Sequence, residues 1–565
     1  MNVSRSIIYF GCSIPNRDHS SENITLRAMK KIHSILLLCI LAICACKDKQ
    51  EKFVVQPRDT TINATNSVSE LFFDSTAMEA FIDKKDMTDS LADRVRSFYN
   101  ARNYQFAWFD SSGLAEYANS FLAAQSQYIG YARDSSIFNP LLQQLQDSLM
   151  ADGSLFKVND KERVKIELLL TESFIRYALK AYQGDNKIDA QDLGWFIPRK
   201  KIDMTGLLDS MIRNRPKDIS AYEPVNRQYN LLKEQLLRYY QWEKEGEWDS
   251  IRIEKKAIKP GESSSAITAI KQRLLLTGDL VAADTTQVFD TTLRSAVRHF
   301  QRRYGLTEDG NIGASFLKEI NRPINQRIQQ LLINMERIRW VPAEPPANYI
   351  LVNIPAYRLF VYENGKVDWT MNVVVGAVAH STVIFEGEMK YIVFSPYWNV
   401  PPSIIKNEVV PGIKKNKNYL ANHNMEWNNG AVRQKPGPAN SLGLVKFLFP
   451  NSYNIYLHDT PSKSLFSETN RAFSHGCIRL SEPKKMATYL LRKDPAWTNE
   501  KITKAMNSGT EKYVTLNPTI PVFIGYFTAW VDSEGRLNFR DDIYGHDKKM
   551  AEKMFEQANA PLLVF

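Results

Sequence analysis

The sequence predicts an α+β multidomain protein, in which a mostly helical scaffold precedes a small three-helix unit and a β-rich domain with an inserted cap. The chain has 565 residues, which exceeds what one hydrophobic core usually supports. Apolar residues recur at helical spacing up to residue 257, and they alternate with polar residues at strand spacing after residue 348. The two periodicities place helices and sheet in separate parts of the chain.

The composition is that of a folded protein, with 44% hydrophobic and 24% charged residues. These proportions exclude wholesale disorder and collagen. The formal net charge is +10, from 72 Lys and Arg against 62 Asp and Glu. This mild excess suits an anionic polymer or a membrane surface, and it is too weak to indicate a nucleic-acid partner.

Residues 1–45 are predicted to be a removable leader. Met29-Lys30-Lys31 opens a basic segment, and the apolar run behind it, 32–43, is too short to span a bilayer. The run ends in Ile43-Cys44-Ala45-Cys46, which resembles a bacterial lipoprotein lipobox. This resemblance implies lipidation of Cys46 and a periplasmic protein anchored to a membrane. A plain secretory signal with incidental cysteines is the alternative.

Four of the five cysteines lie in or beside this leader. With Cys46 lipidated, Cys477 is the one thiol of the exported body. An internal disulfide and a cysteine-based metal cluster are therefore excluded. A solitary thiol in an oxidising compartment is a liability unless it is buried or needed.

The first half of the body is predicted to be a tether followed by helices. Residues 46–70 are rich in Thr, Asn and Ser and lack helical periodicity, as expected of a tether. Residues 71–257 show helical spacing and many aromatic residues without obvious chemistry. We interpret this region as a scaffold.

Residues 258–322 are predicted to form three short helices separated by turns that contain glycine. The segment AVRHFQRRYGLTEDGNIGASFLKEIN resembles the peptidoglycan-binding-like helical domain of cell-wall enzymes. The resemblance implies glycan as a partner, although this copy could instead only pack against its neighbours.

A connecting helix is predicted within residues 323–347, before the prolines at its end. The β-rich domain then spans residues 348–565, with Asn364-Gly365 as a hairpin turn. Residues 401–446, rich in Asn, Lys, Pro and Gly, form an insertion that acts as a lid or binding loop, or is a surface excursion.

Two histidines and one cysteine lie close together in the sequence of this domain. His458 ends an apolar strand, and Ser474-His475-Gly476-Cys477 follows after a short interval. A thiol becomes a nucleophile when a base such as histidine removes its proton. Gly476 allows close backbone approach and frees N–H groups for an oxyanion. The residues alone leave two interpretations open: acyl transfer through a thioester, or a buried structural cysteine.

The pattern from His458 to Ser474-His475-Gly476-Cys477-Ile478-Arg479 resembles the signature of the L,D-transpeptidase catalytic domain. The segments NMERIRWVP, YILVNIPAYRLFVYENGK, WNVPPSI, LHDTPSKSLF and TAWVDSEG resemble the large multidomain L,D-transpeptidases of bacterial envelopes. Arg479 stands where many members have Asn, and we interpret it as a marker of the large subgroup.

The resemblance implies catalytic roles for four residues. Cys477 is the nucleophile, His458 is its base, and the backbone carbonyl of Asp459 orients the imidazole. The N–H groups of Gly476 and Cys477 form the oxyanion hole. The implied substrate-binding residues are Tyr456, Trp398, Asn399, Ser474, His475 and Arg479, with structural packing or ion pairing as the alternative for each.

The implied reaction forms 3–3 peptidoglycan crosslinks through a cysteine thioester, releasing D-Ala from a tetrapeptide stem. It needs no metal or organic cofactor, and carbapenems are implied as covalent inhibitors. Three other interpretations stay open: an L,D-carboxypeptidase, attachment of a protein to the wall by the same acyl-enzyme, and a non-catalytic wall-binding lipoprotein.

Overall fold

The computed structural model describes residues 53–152, 159–246 and 248–555. The predicted leader and its Cys46 lie outside the described residues. The chain divides into two compact units, of which the first includes the described residues 53–63 and 74–104. The second unit includes residues 64–73 and the described residues after 104.

The first unit contains helices α1 (Ser75–Lys85) and α2 (Asp89–Asn100). Residues 53–63, part of the predicted tether, lie along α2. The backbone N–H of Gln56 donates to Ser97 Oγ at 3.0 Å, and that of Asp59 donates to the Asn100 carbonyl at 2.9 Å. These bonds hold this part of the predicted tether on the helix, so it is not a free linker.

The second unit begins with the scaffold helices, and a short hairpin interrupts their predicted helical run. Buried Glu167 accepts hydrogen bonds from the backbone N–H groups of Ala107 and Trp108, at 2.6 and 2.9 Å, and so satisfies backbone donors at the centre of the scaffold. The elements are β1 (Phe109–Asp110), β2 (Gly113–Leu114), α3 (Glu116–Ala132), α4 (Pro140–Asp152), α5 (Asp160–Ala178), α6 (Met204–Asn214) and α7 (Arg227–Glu245).

Three helices form the next part, as the periodicity predicts: α8 (Ala266–Leu276), α9 (Thr291–Arg303) and α10 (Ala314–Ile320). The carboxylate of Asp290 caps α9 by accepting from Leu293 N at 2.7 Å. The apolar faces of these helices are fully buried and join the main core of the molecule.

Helix α11 (Ile324–Trp340) is the predicted connecting helix, and 14 of its 17 residues are buried. At its end Trp340 packs edge-on against Trp195 of the scaffold, with ring centroids 5.3 Å apart. Trp195 in turn packs edge-on against Phe527 of the β-rich part, at 6.1 Å. Helix α11 therefore lies at the centre of a core that the scaffold and the β-rich part share.

The β-rich part is a mixed nine-stranded sheet with the order β12-β5-β13-β11-β10-β6-β14-β3-β4. Strand β4 also pairs with β5, so eight strands close on themselves and β12 attaches outside the ring. The strands are β3 (Tyr349–Asn353), β4 (Arg358–Glu363), β5 (Lys366–Gly376), β6 (Phe385–Phe394), β10 (Val445–Leu448), β11 (Leu457–His458), β12 (Ala472–Ser474), β13 (Ile478–Leu480) and β14 (Lys512–Gly525).

The insertion has a fold of its own between β6 and β10. Its strands β7 (Trp398–Asn399), β8 (Met425–Asn428) and β9 (Ala431–Gln434) form a separate sheet in the order β7-β9-β8. Val400, Val409 and Val432 make a small core beneath it. The insertion also contains the short helices α12 (Pro402–Ile404), α13 (Val410–Lys415) and α14 (Tyr419–Asn422).

The sequence predicts a strand only over residues 522–526, whereas β14 begins at Lys512. Pro518 and Pro521 obscure the earlier part of the strand, because a proline cannot donate to a sheet ladder. Pro518 lies in the register shift against β6, between Thr515 and Ile520, where pairing is interrupted. The C-terminal part adds β15 (Ala529–Val531), β16 (Leu537–Phe539), α15 (Pro483–Leu491), α16 (Asn499–Met506) and α17 (His546–Phe555).

The structure confirms the predicted α+β class, with helices before residue 341 and the barrel after it. Among the described residues, no helix is both long and apolar enough to cross a membrane.

Candidate active site

Strand register brings the predicted catalytic residues to one face of the barrel. Strand β11 runs parallel to β13, with Leu457 opposite Ile478 and His458 opposite Arg479. Leu457 and Ile478 are fully buried in the core, so His458 and Arg479 point to the other face. Cys477 is two positions before Arg479, and the bond from Ile478 N to Tyr456 O (3.1 Å) extends the ladder past it. Cys477, the residue just before β13, therefore lies on the same face as His458. We call this face, which carries His458, Cys477 and Arg479, the catalytic face.

The thiol of Cys477 is half-buried and is not sealed from solvent. It donates to the backbone carbonyl of Asn454 at 3.6 Å rather than to the imidazole of His458. Burial raises the pKa of the Cys477 thiol, while hydrogen bonds to Tyr456 and the charge of Arg479 lower it. The thiol is therefore uncharged at neutral pH and would have to rotate to meet His458.

The imidazole of His458 is buried, with 4% of the residue exposed. Its Nδ1 lies 2.5 Å from the carbonyl oxygen of Asp459. Because a carbonyl only accepts, Nδ1 carries the proton and Nε2 keeps its lone pair. Burial lowers the pKa of His458 to about 4, and Arg479 adds to the effect. At neutral pH His458 is thus an uncharged base with its acceptor nitrogen available.

The carboxylate of Asp459 stabilises the loop around His458. One oxygen accepts from Thr460 N at 2.7 Å and pairs with Lys463, and the other accepts from Leu444 N at 2.9 Å. Gly443 has a φ of +62°, and a Cβ there would come within 2.4 Å of this carboxylate. The side chain of Asp459 therefore fixes the loop whose carbonyl holds His458.

The turn before Cys477 is closed by Ser474. Its Oγ donates to the Cys477 carbonyl at 2.5 Å and accepts from Gly476 N at 3.2 Å. Gly476 has a φ of +109°, which favours glycine. Ser474 is buried and holds the turn, which is the alternative to its implied substrate-binding role. The predicted oxyanion donor at Gly476 N is engaged by Ser474, so substrate must displace that bond to use it.

Arg479 is half-buried beside the thiol. Its Nε is buried and has no hydrogen-bond partner among the described residues. Burial lowers the pKa of Arg479, and the neighbouring Cys477 opposes this effect. A guanidinium with an unused donor near a nucleophile suits an incoming carboxylate.

Tyr456 lies beside the same two groups. Its ring centroid is 5.7 Å from that of His458, and its hydroxyl interacts with Cys477. By contrast, Trp398 and Asn399 belong to β7 of the insertion, where Trp398 packs on the small valine core. The structure therefore groups Tyr456 with the catalytic face and the other two with the inserted sheet.

Lys446 is a residue of this face that the sequence did not indicate. It lies opposite His458 in the antiparallel pair β10–β11. Its Nζ donates to the carbonyl of Tyr397 at 3.4 Å, which links the face to the start of the insertion. Burial lowers the pKa of Lys446, and Glu511, 3.8 Å away, partly offsets this.

The sequence also did not indicate a set of hydrogen bonds, which we call the brace, behind the turn that precedes Cys477 (the catalytic turn). Thr382 Oγ1 donates to the Gly476 carbonyl at 2.8 Å and accepts from Gly376 N at 2.9 Å. Tyr544 donates to the Gly376 carbonyl at 2.6 Å. These bonds tie the turn before Cys477 to β5 and to the C-terminal segment.

His380 lies outside the sequence motif that contains His458 and His475. The structure places its ring 5.0 Å from that of His475, and both residues are exposed beside the catalytic turn. Within the described part of the chain, no three His, Cys, Asp or Glu side chains are placed to hold a metal ion.

Three families match successive parts of the chain. Residues 93–236 match the family described as "Scaffold domain", and residues 263–320 match the "Putative peptidoglycan binding domain". Residues 347–502 match the "L,D-transpeptidase catalytic domain". The chain thus contains an L,D-transpeptidase catalytic domain, and the resemblance seen in the sequence is confirmed.

One curated relative is a "Putative L,D-transpeptidase" of Haemophilus influenzae, 32% identical over 243 residues. The match covers 39% of this chain and 49% of the relative, so the chain spans about half the length of the curated relative it matches.

Solved structures with a detectable likeness include an L,D-transpeptidase from Mycobacterium smegmatis, at 15% identity and a TM-score of 0.19. The match covers 32% of this chain and 58% of that one. Another is L,D-transpeptidase 3 from Mycobacterium tuberculosis in complex with a faropenem-derived adduct, at 15% identity, 32% and 60% coverage and a TM-score of 0.18.

Proposed function

We propose that the protein is an L,D-transpeptidase that forms 3–3 peptidoglycan crosslinks through a thioester on Cys477. The observation that carries the proposal is the shared face of β11 and β13. It combines a half-buried thiol, a neutral imidazole with a free Nε2 and a guanidinium with an unused donor. A nucleophile, its base and an anion-binding group are the parts that acyl transfer needs.

The first half-reaction transfers the donor stem to sulfur. Sγ of Cys477 attacks the carbonyl carbon between the third stem residue and the terminal D-Ala, while Nε2 of His458 takes the thiol proton. The oxyanion that forms faces the N–H groups of the turn before Cys477. When the C–N bond breaks, His458 returns the proton to the leaving D-Ala nitrogen, and a thioester remains.

The second half-reaction uses an amine of another stem. This amine attacks the thioester carbon and gives a proton to His458 Nε2. The C–S bond then breaks, sulfur leaves as a thiolate, and the proton returns to it. The enzyme is restored, and a new amide joins the two stems.

The electrostatics favour attack that is coupled to proton transfer. Burial raises the pKa of Cys477 and lowers that of His458, so the pair rests uncharged. A preformed thiolate–imidazolium pair would need the opposite shifts. We infer that the charge develops only when substrate fills the face, excludes water and meets Arg479.

Arg479 is the proposed site for a stem carboxylate, with Lys446 contributing positive charge from β10, on the far side of β11. His475, exposed beside the nucleophile, contacts the peptide chain on the outer side in this proposal. Trp398 and Asn399 bind substrate from the inserted sheet, which reaches the face through Tyr397 and Lys446.

The proposal is tested by intact-mass measurement after carbapenem treatment. The wild-type protein should gain one adduct, and Cys477→Ala should gain none. Lys504→Met, which changes an exposed charge on α16, is the control and should still react. A protein that folds but forms no adduct would be the non-catalytic wall binder.

Product analysis with tetrapeptide stems separates the remaining activities. Crosslinked dimers with release of D-Ala indicate the transpeptidase, and tripeptide alone indicates the L,D-carboxypeptidase. A stem joined to an added protein amine indicates attachment of proteins to the wall. The thioester half-reaction is common to all three, so the adduct test comes first.

The peptidoglycan-related families support a location in the cell envelope. We further propose a periplasmic location with a lipid anchor on Cys46, which rests on the sequence motif alone. Cys46→Ala should move the protein from the membrane fraction to the soluble fraction of the envelope. An unchanged distribution would contradict the anchor and leave the catalytic proposal intact.

A further inference from the structure

The C-terminal segment after residue 502 lies beyond the matched catalytic domain, yet one of its side chains reaches the strand that supports the catalytic turn. The hydroxyl of Tyr544 donates to the Gly376 carbonyl at 2.6 Å and accepts from the backbone N–H of Thr382 at 3.3 Å. Gly376 ends β5, which pairs with β12, the strand that leads into the catalytic turn. Neither the catalytic proposal nor the matched families assign a role to Tyr544.

The two groups that Tyr544 binds lie at the ends of a tightly folded loop, 376–382. A Cβ at Gly376 would lie 2.1 Å from the carbonyl oxygen of His380 and 2.8 Å from the nitrogen of Thr382, so the loop folds directly onto Gly376. Inside the same loop, Gly376 N donates to Thr382 Oγ1 at 2.9 Å. The Tyr544 hydroxyl therefore joins both ends of the loop and helps to fix the position of Thr382.

Thr382 in turn fixes the peptide bond that precedes the nucleophile. Its Oγ1 donates to the Gly476 carbonyl at 2.8 Å. In a planar trans peptide the carbonyl and the following N–H point in opposite directions. The N–H of Cys477 therefore points away from Thr382, and it has no hydrogen bond among the described residues. The N–H of Gly476, by contrast, donates to Ser474 at 3.2 Å. Of the two implied oxyanion donors, the Cys477 N–H is the one that is both unoccupied and held from behind.

Tyr544 is itself held by a second set of contacts within the C-terminal part. Its backbone N–H donates to the hydroxyl of Tyr526 at 3.0 Å, and that hydroxyl donates to Asp542 at 2.6 Å. The two tyrosine rings stack with their centroids 5.8 Å apart. Burial raises the pKa of Tyr544, so its hydroxyl remains a donor at neutral pH. The C-terminal segment thus presents this hydroxyl to the loop 376–382 in a fixed position.

We propose that Tyr544 is a positioning residue for acylation, and that it acts through Thr382 to aim the Cys477 N–H at the oxyanion. Donors that are aligned in advance stabilise an oxyanion because they need not reorganise when the charge forms. Without the Tyr544 hydroxyl, Thr382 and the Gly476 carbonyl gain freedom, and the N–H loses its alignment. The inference rests on the proposed function, since it requires an acyl-enzyme on Cys477.

The experiment compares two reactions of the same thiol in the full-length protein. Acylation by a carbapenem passes through an oxyanion, whereas alkylation by iodoacetamide displaces iodide from a saturated carbon and forms none. We expect Tyr544→Phe to acylate about tenfold more slowly, because loss of a whole oxyanion donor costs about 10²–10³-fold and this change only misaligns one. Alkylation, measured by mass on the peptide that contains Cys477, should keep the wild-type rate. A general loosening of the site would change both rates.

Tyr240→Phe is the matched control. Its hydroxyl also donates to a backbone carbonyl, that of Tyr131 at 2.7 Å, but it lies on α7 of the scaffold, so both rates should stay at the wild-type value. A double variant, Tyr544→Phe with Thr382→Val, tests the proposed path. Because Tyr544 acts only through the bond from Thr382 to the Gly476 carbonyl, the double variant should acylate no more slowly than Thr382→Val alone. All rates are measured at a temperature where each variant is folded.

Three outcomes would overturn the inference. They are acylation of Tyr544→Phe at the wild-type rate, equal slowing of acylation and alkylation, and a double variant in which the two single effects multiply. If Tyr544→Phe does not fold, Tyr526→Phe, which removes the hydroxyl that holds Tyr544, takes its place under the same criteria. Absent acylation in the wild type would contradict the proposed function, whereas normal acylation in both the wild type and Tyr544→Phe would contradict this inference alone.

Discussion

Helix α11 and the catalytic face both bury positive charge, but they treat it differently. In α11 every buried arginine has a carboxylate partner. Two of the ion pairs connect the helix to other segments, and the third lies within the helix. These pairs are Arg327 with Glu319 at 2.6 Å, Arg337 with Asp547 at 2.5 Å and Arg339 with Glu336 at 2.6 Å.

On the catalytic face the positive groups are half-buried and less well paired. Arg479 has no carboxylate neighbour among the described ion pairs, and Lys446 reaches Glu511 only at 3.8 Å. A partly buried charge without a close partner costs stability, so the arrangement is not explained by folding alone. The contrast teaches that α11 is built for stability, whereas the face keeps positive charge available for the anionic substrate that we propose.

The largest expected effect concerns the base of the catalytic face. His458→Ala should lower the rate of acylation by a carbapenem by about 10²–10⁴-fold, because Cys477 loses its proton acceptor. The melting temperature should also fall, because a buried ring and its hydrogen bond to the Asp459 carbonyl are lost, so rates are compared at a temperature where both proteins are folded. Rates are followed by intact mass over time. A variant that reacts at the wild-type rate would remove His458 from the mechanism.

Substituting one arginine of α11 and one of the catalytic face tests the comparison directly. Arg337→Met should destabilise the protein by about 3–5 kcal/mol, because Asp547 is left buried without its partner. Arg479→Met removes no ion pair, so stability should stay within about 1 kcal/mol. Its activity on stem peptides should instead fall by about 10- to 100-fold, the worth of a hydrogen bond to a charged group.

Chemical denaturation and steady-state kinetics on both variants check this pair. If Arg479→Met proved as destabilising as Arg337→Met while keeping its activity, Arg479 would be a structural residue. The contrast between helix and face would then be wrong.

A smaller effect is expected at the brace behind the catalytic turn. Thr382→Val keeps the shape of the side chain but removes its bonds to Gly476 O and Gly376 N. We expect a loss of about 1–3 kcal/mol in stability, with a lower rate of acylation. Thr382→Ser restores the hydroxyl and should restore both quantities. A Val variant that loses stability but acylates normally would show that the brace does not position the turn.

The sequence predicted the catalytic pair but not its supports, and the reason is physical. His458 and Cys477 carry distinctive chemistry in a short motif, whereas Thr382 and Tyr544 act through partners 94 and 168 positions away. Local patterns contain no information on such contacts. Helices α8 to α10 were predicted because each buries one apolar stripe.

Other parts of the fold could not be predicted from the sequence, because tertiary packing overrides the local sequence pattern. Helix α11 contains several charged residues, yet it is almost wholly buried, since its charges find partners in distant segments. Strand β14 contains two prolines that argue against a strand. Pro518 lies in the register shift, whereas Pro521 lies beyond it, opposite Glu388.

The last prediction concerns two histidines whose pKa values are lowered to the same extent. Burial lowers the pKa of His458 to about 4, and it lowers that of His546 in α17 to about 4 as well. An unfolded histidine has a pKa of about 6.5, so between these values the unfolded state binds more protons and stability rises with pH. Stability is therefore greatest above about pH 6.5 and is lost as the pH falls through 4. For buried His458 the loss amounts to about 3 kcal/mol.

Stability alone cannot distinguish the two histidines, because His458→Gln and His546→Gln should each remove part of this acid sensitivity. The acylation rate does distinguish the two histidines. In the wild type it should fall about tenfold per pH unit below pH 4, as Nε2 of His458 becomes protonated. His546→Gln should keep that acid limb, since His546 packs against Tyr526 and Tyr544 and not against the thiol. His458→Gln should react slowly and without the limb. If the fall in rate below pH 4 disappeared in His546→Gln instead, low pH would act by loosening the C-terminal segment. The neutral imidazole of His458 would then no longer explain the pH dependence of the reaction.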